Sequence, residues 1–517
     1  MRNQILLFCM VGICFIAVSC TGDFLDTAPE NQTGSAIVFE KTEYADMAVN
    51  GIAKLMNTPF FYPDKNTPKT AEFNGEGAIK MINGNWMGNH FVCSNRDGYG
   101  VLYKGTNYMS NTSSVYCFYP WWYYYMIIGN ANTIVTHIAL AEGVETDRQR
   151  ILAQALTFRA YAYTMLSQIY CKRWMDSDEG NADGVVLRLT DSYEALKLCT
   201  LKQLYKQIYD DLDEAIRLFK LSGFVREGNN HLPDIHVAYA IYARAALVRQ
   251  DYKTAAAMAV AAREGFPLMT NAEYSQGFNV PVSEWIWSSR NSGDESIGQY
   301  AFFARIAYNS RITEAYNYSK CISKELYNRI PLTDIRRRLF LNPEGYSYNS
   351  STGLASKDLA AYARTLYADI YDKSPVYAYM QFKFKASDNT GAGDVNHIRA
   401  AEMYLIEAEA DYYLHDEKGA CEALIALTKD SGRDPEYTCS KTGRELLEEI
   451  KLYRAIELWG EGFDWFDMKR WGDTIERKTF DKGGNFTAKT GFTTRPDENN
   501  GWCWLIPELE TDYNPEI

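Results

Sequence analysis

The stretch Val237-Ala238-Tyr239-Ala240-Ile241-Tyr242-Ala243-Arg244-Ala245-Ala246-Leu247 is followed by a polar pivot, Gln250-Asp251-Tyr252, and then by Ala255-Ala256-Ala257-Met258-Ala259-Val260-Ala261-Ala262. Alanine is the strongest helix former. Small residues on facing surfaces also let two antiparallel helices approach closely across a short turn. The spacing therefore predicts a tight helical hairpin over 234–264.

A second copy of the arrangement follows downstream. Ala400-Ala401-Glu402-Met403-Tyr404-Leu405-Ile406-Glu407-Ala408-Glu409-Ala410 leads to a pivot at 415–419 and a second run at 420–427. The two share a layout rather than a sequence, as tetratricopeptide hairpins do. Helical patterns at 146–171 and 200–220 supply further pairs, and a stack needs about three units to bury its faces. Pro120 sets a helix start over 121–142, because proline suits a first turn, and a shorter helix is expected at 42–56. The fold class is thus mainly α, a tetratricopeptide-like scaffold with an irregular, loop-rich part and a few short strands. Residues 265–396 read as mixed, with Ser283-Glu284-Trp285-Ile286-Trp287-Ser288 alternating as a strand does, so that Trp285 and Trp287 read as partly buried strand residues.

With 46% hydrophobic residues, the chain of 517 can build a sizeable core. Asp and Glu number 66 against 53 Lys and Arg, a net charge of -13, which argues against nucleic acid as a partner. The aromatic excess lies in Tyr (38) and Trp (11) rather than Phe (24), rings that can grip a ligand and still meet water.

Arg2 precedes an uncharged run over 5–18, too short to span a bilayer and shaped like a signal peptide. Ala17-Val18-Ser19-Cys20 resembles the bacterial lipobox, so Cys20 is the expected lipidation site and acyl chains the expected membrane anchor. Residues 1–19 would be removed, leaving an N-terminal region over 20–225 and a C-terminal region over 226–517, packed as one compact body. Eight further cysteines remain beyond Cys20, without C-x-x-C spacing, so neither a zinc site nor a redox pair is indicated.

No G-x-S-x-G elbow, H-E-x-x-H helix or phosphate loop occurs, and the six His lack ligand spacing. No catalytic residue, metal or cofactor is assigned. Sugars present flat apolar faces edged with hydroxyls, and a site for them needs Tyr or Trp platforms flanked by polar groups. The glycine-rich region 72–108 carries both, in Trp86 with Asn83, Asn85 and Asn89, and in Arg96, Asp97 and Tyr99. Tyr300 and Tyr308 from the mixed region complete the candidates. Residues 57–119 show no helical period, which predicts loops and short strands there.

One segment carries a family resemblance. Arg454-Ala455-Ile456-Glu457-Leu458-Trp459-Gly460-Glu461-Gly462-Phe463-Asp464-Trp465-Phe466-Asp467-Met468-Lys469-Arg470-Trp471-Gly472 resembles the signature R-x-x-E-L-x-x-E-G-x-R-x-x-D-L-x-R-W-G of the RagB/SusD family. It departs at Asp464, where a basic residue is usual, and at Met468. Cys20 to Asp26, the helix around Phe158-Arg159-Ala160-Tyr161, residues 399–410 and the tail 505–515 agree in the same order. Glu457, Glu461 and Arg470 are then fold determinants rather than catalysts. The resemblance implies an outer-membrane, surface-exposed lipoprotein without enzymatic activity. It would capture an oligosaccharide and act as the lid of a SusC-like TonB-dependent transporter. A RagB-like peptide binder, a surface glycoside hydrolase and a scaffold for the barrel alone are the alternatives.

Overall fold

Both alanine-rich stretches form the expected hairpins. In the computed structural model, which describes residues 37–58, 62–63, 68–69, 73–94, 109, 111–228, 230–291, 301–498 and 500–517, α6 (Ile235–Val248) and α7 (Tyr252–Ala262) make the first and α8 (Ala400–Tyr413) and α9 (Glu417–Ile425) the second. The helices before them are α1 (Thr42–Leu55), α2 (Gly75–Ile79), α3 (Val115–His137), α4 (Glu145–Tyr170) and α5 (Leu201–Ser222). From α3 to α9 each helix packs on the next.

The hairpin turns match to the hydrogen bond. Gln250 and His415 both adopt positive φ, 63° and 64°. The next residues, Asp251 and Asp416, donate backwards from N–H to Ala246 O and Asp411 O, each at 2.8 Å. Their side chains then cap the following helices, accepting from Thr254 N and Gly419 N. An N-cap acid satisfies donors that the first helical turn leaves free. Stacking of Tyr252 on Tyr413, with centroids 4.3 Å apart, joins the units.

Two expectations shift. The glycine-rich stretch is helical over 75–86, α2 running into a wider π turn, Lys80–Trp86. Its glycines serve close approach rather than looping: a Cβ on Gly84 would lie 2.1 Å from Gly462 O. The proline helix starts earlier, at Val115, because Ser114 caps it by accepting from Tyr116 N, and Pro120 falls inside. The described strands pair in twos. β1 (Phe91–Cys93) lies antiparallel to β3 (Lys320–Ile322), and β2 (Trp285–Ser289) to β4 (Val395–Arg399), with Trp285 and Trp287 both buried.

The signature segment forms α10 (Gly443–Glu457), a double-glycine turn and α11 (Asp464–Trp471). Its acids enter a closed cluster of four cations, Arg336, Lys383, Arg399 and Arg433, and four carboxylates, Glu284, Asp334, Glu457 and Glu461. Each residue of the eight is at most 5% exposed. Glu457 meets Arg336 at 2.7 Å and Arg399 at 2.6 Å, Glu461 meets Lys383 at 2.6 Å and Arg399 at 2.7 Å, and Glu284 meets Arg399 at 2.8 Å. Equal numbers of opposite charges let ions remain in a dry interior. Farther along, Arg454 bridges to Asp467 at 2.6 Å, Arg470 pairs with Glu409, and Lys469 donates to Gln168 O and Cys171 O, satisfying the end of α4. Lys469 thus ties α11 to the N-terminal helix α4, while Arg470 ties it to α8.

Candidate functional site

Of the candidate ligand contacts, four are enclosed by the fold, which corrects the expectation that they form an open platform. Asn83, Asn85 and Trp86 lie on the π turn and are at most 2% exposed. Asn85 donates to Gly460 O and accepts from Gly462 N, so its amide clamps the double-glycine turn. Trp86 is closed over by the Arg305 guanidinium, 6.0 Å from its ring centre. Tyr308 is buried edge-to-face against Tyr367 and Phe382. Nothing local in the sequence marks these burials, because the residues that meet Asn85 and Trp86 come from more than 200 positions away.

Asn89 alone of the described candidates reaches an open surface. It is half-buried, accepts from Glu476 N at 3.1 Å, and borders a cleft of about 570 Å³ against α10 and α11. The cleft's internal charges are matched: Lys451 pairs with Asp473 at 2.9 Å and Arg454 with Asp467. Asp464, the signature's departure, accepts from His90 N at 2.6 Å, and burial pushes its carboxyl above the usual range. Arg329 and Arg444 are exposed at the mouth. The aromatic faces are taken, with Trp459 stacked on Phe91 and Trp471 flanked by Lys451 and Arg470, each 5.0 Å from its ring. The cleft can therefore donate and accept hydrogen bonds, but a flat ligand ring would need a platform from elsewhere.

Arg96, Asp97, Tyr99, Tyr300 and Cys20 lie outside the described residues. The flanks of the loop-rich stretches do meet. Asn57 donates to Arg290 O at 2.9 Å, Asn74 donates to Asn57 Oδ1 at 3.2 Å, and Phe302 packs against Gly77. Beneath them Glu76 accepts from Tyr124 and Tyr161, and burial raises its carboxyl despite these bonds. Among the described residues no group of three or more His, Cys, Asp or Glu could hold a metal, and no helix is long and apolar enough to cross a membrane.

Two family models match the chain: the SusD family over 262–517 and a family described as starch-binding associating with outer membrane over 23–247. Among solved structures, a SusD-like carbohydrate binding protein from Bacteroides vulgatus is similar, at 24% identity and TM-score 0.71, covering 93% of this chain and 98% of its own. A SusD superfamily protein from Bacteroides thetaiotaomicron shares 22% identity at TM-score 0.71, with 92% and 99% covered. The surface glycan-binding protein A of the same organism shares 15% at TM-score 0.65, with 93% and 98% covered. At these identities the likeness establishes the fold. No curated protein sequence matches.

Proposed function

Because the chain belongs to the SusD/RagB family, we propose that it is a surface glycan-binding lipoprotein which captures an oligosaccharide and passes it to a SusC-like TonB-dependent transporter, doing no chemistry itself. The observation that carries this reading is the pair of family matches, which together span 23–247 and 262–517 and include a starch-binding description tied to the outer membrane.

In this reading Cys20 bears the acyl chains once residues 1–19 are removed, and the regions 20–225 and 226–517 move as one body over the barrel. Tyr99 and Tyr300 supply the ring platforms, and Arg96, Asp97 and Asn89 the hydrogen bonds at the edge. Isothermal titration against neutral and acidic oligosaccharides, with mixed peptides in parallel, tests the ligand class. Saturable heat with a glycan, lost in R96A and Y99A, is the expected result. Heat with peptides and none with any glycan overturns it, and release of reducing sugar by the purified protein overturns the non-enzymatic part. Incorporation of labelled palmitate, absent in C20S, tests the anchor.

A further inference from the structure

The sequence holds no C-x-x-C pair, yet the fold brings two half-buried thiols together. Cys421 lies on α9, and Cys439, eighteen positions later, lies in the connector that leads to α10. The Cys421 thiol is in hydrogen-bonding contact with the Cys439 thiol, and its sulfur is 3.8 Å from Lys441 O, two residues farther on. Both side chains pack against the same small core, built from α8, α9 and α10.

The connector is held on both sides of Cys439. Before it, Asp434 N donates to Thr428 O at 2.9 Å, and the buried Tyr437 lies edge-to-face with Tyr453 of α10, with centroids 4.6 Å apart. After it, Gly443 N donates to Glu417 Oε1 at 2.6 Å, so the start of α9 already grips the start of α10. Other cysteines are placed differently. Cys93, Cys117, Cys171, Cys321 and Cys503 are buried, and Cys117 donates to Leu505 O at 3.0 Å. Buried thiols of that kind are inert, whereas a half-buried pair in contact can be reached by an oxidant.

We infer that Cys421 and Cys439 are joined by a disulfide in the exported protein, fastening α9 to the connector that carries the chain into the signature segment. The inference rests on the reading of the chain as exported, since disulfides persist in the bacterial envelope and are rare in the cytosol, and it needs no ligand. The oxidant is the disulfide of an envelope thiol oxidoreductase. Burial first, and the Cys439 thiol second, push the Cys421 thiol up to about 12, so Cys439 opens the exchange. Its thiolate attacks the oxidant's disulfide and expels one thiol. Cys421 then gives up its proton, attacks the Cys439 sulfur and expels the other, so the two electrons leave with the oxidant as two thiols.

Cells producing the full chain are quenched in acid and alkylated with N-ethylmaleimide, and the purified protein is digested with trypsin without reductant. The expected product is peptide 419–429 joined to peptide 434–441, two hydrogen atoms lighter than the separate peptides and split by dithiothreitol. Closing a loop of this length restricts the unfolded chain, so the oxidised protein should melt about 3 °C above the reduced one. C421A and C439A should each melt with the reduced protein and respond no further to dithiothreitol. The peptide map is made on the unaltered chain and stands if neither variant folds. Maleimide on both cysteines, or a bond from either to a third thiol, overturns the inference. If palmitate is still incorporated at Cys20, export stands and only the pair fails; if it is not, the export reading falls as well. A linked peptide whose reduction leaves the melting temperature unmoved overturns the fastening.

Discussion

Replacing Glu457 by glutamine keeps the shape of the side chain and removes its charge. In the unaltered protein its carboxylate lies against Arg336, Arg399 and Arg433, each at most 1% exposed, and these cations hold it well below its ordinary value of 4.5 despite burial. After the change, four cations face three carboxylates in a sealed interior. Leaving one buried charge unmatched costs about 3–5 kcal/mol. Unfolding entropy of about 2.1 cal/mol/K per residue amounts to roughly 1 kcal/mol/K over a chain of this length, so Tm should fall by about 3–5 °C at pH 7. The assay is calorimetry or near-UV circular dichroism, with E445Q, exposed on the same helix, as the control. The pH dependence has a definite sign. A depressed carboxylate contributes its full stability above about pH 4.5 and loses it as pH falls toward its folded value. The gap between E457Q and the unaltered protein should therefore be constant above that pH and shrink below it. An E457Q protein as stable as E445Q at pH 7, or a gap that widens in acid, refutes the idea that the signature acids stabilise through this cluster.

Gly462 holds φ at 91°, and a Cβ there would meet Lys80 Cβ at 2.7 Å, so G462A should lose about 1–3 kcal/mol from backbone strain alone and show a lower urea midpoint. Burial, partly offset by Glu76, brings the Lys80 ammonium down to about 8, whereas an unfolded lysine keeps its proton to about 10.5. Stability from this group rises as pH climbs from 8 toward 10, and K80M, measured by thermal melts at pH 7 and 9.5, should lack that rise. D464A removes the acceptor of the His90 N–H and should destabilise by about 1–3 kcal/mol in chemical denaturation, with G472-side contacts of α11 unchanged.

Local sequence determined the helices and their turns. The alanine runs around Ala238 and Ala401 and the pivots at 250–252 and 415–419 predict the hairpins, and the structure places the caps Asp251 and Asp416 in those pivots, because a helix start is satisfied by residues next to it in the chain. The double-glycine break after Glu457 was equally readable from Gly460 and Gly462. What tertiary structure decided was which polar residues face inward. Asn83, Asn85 and Trp86 have the composition of a sugar site, yet all three are buried, and Gly460, Gly462, Arg305 and Arg477 arrive from distant segments to meet Asn85 and Trp86. Trp285 reads as a partly buried strand residue, and only the folded chain encloses it in β2, at 2% exposure. Capping is a contact between near neighbours and follows from composition and spacing. Burial and the pairing of charges such as Glu457 with Arg336 depend on residues more than a hundred positions apart, and only the folded chain brings those together.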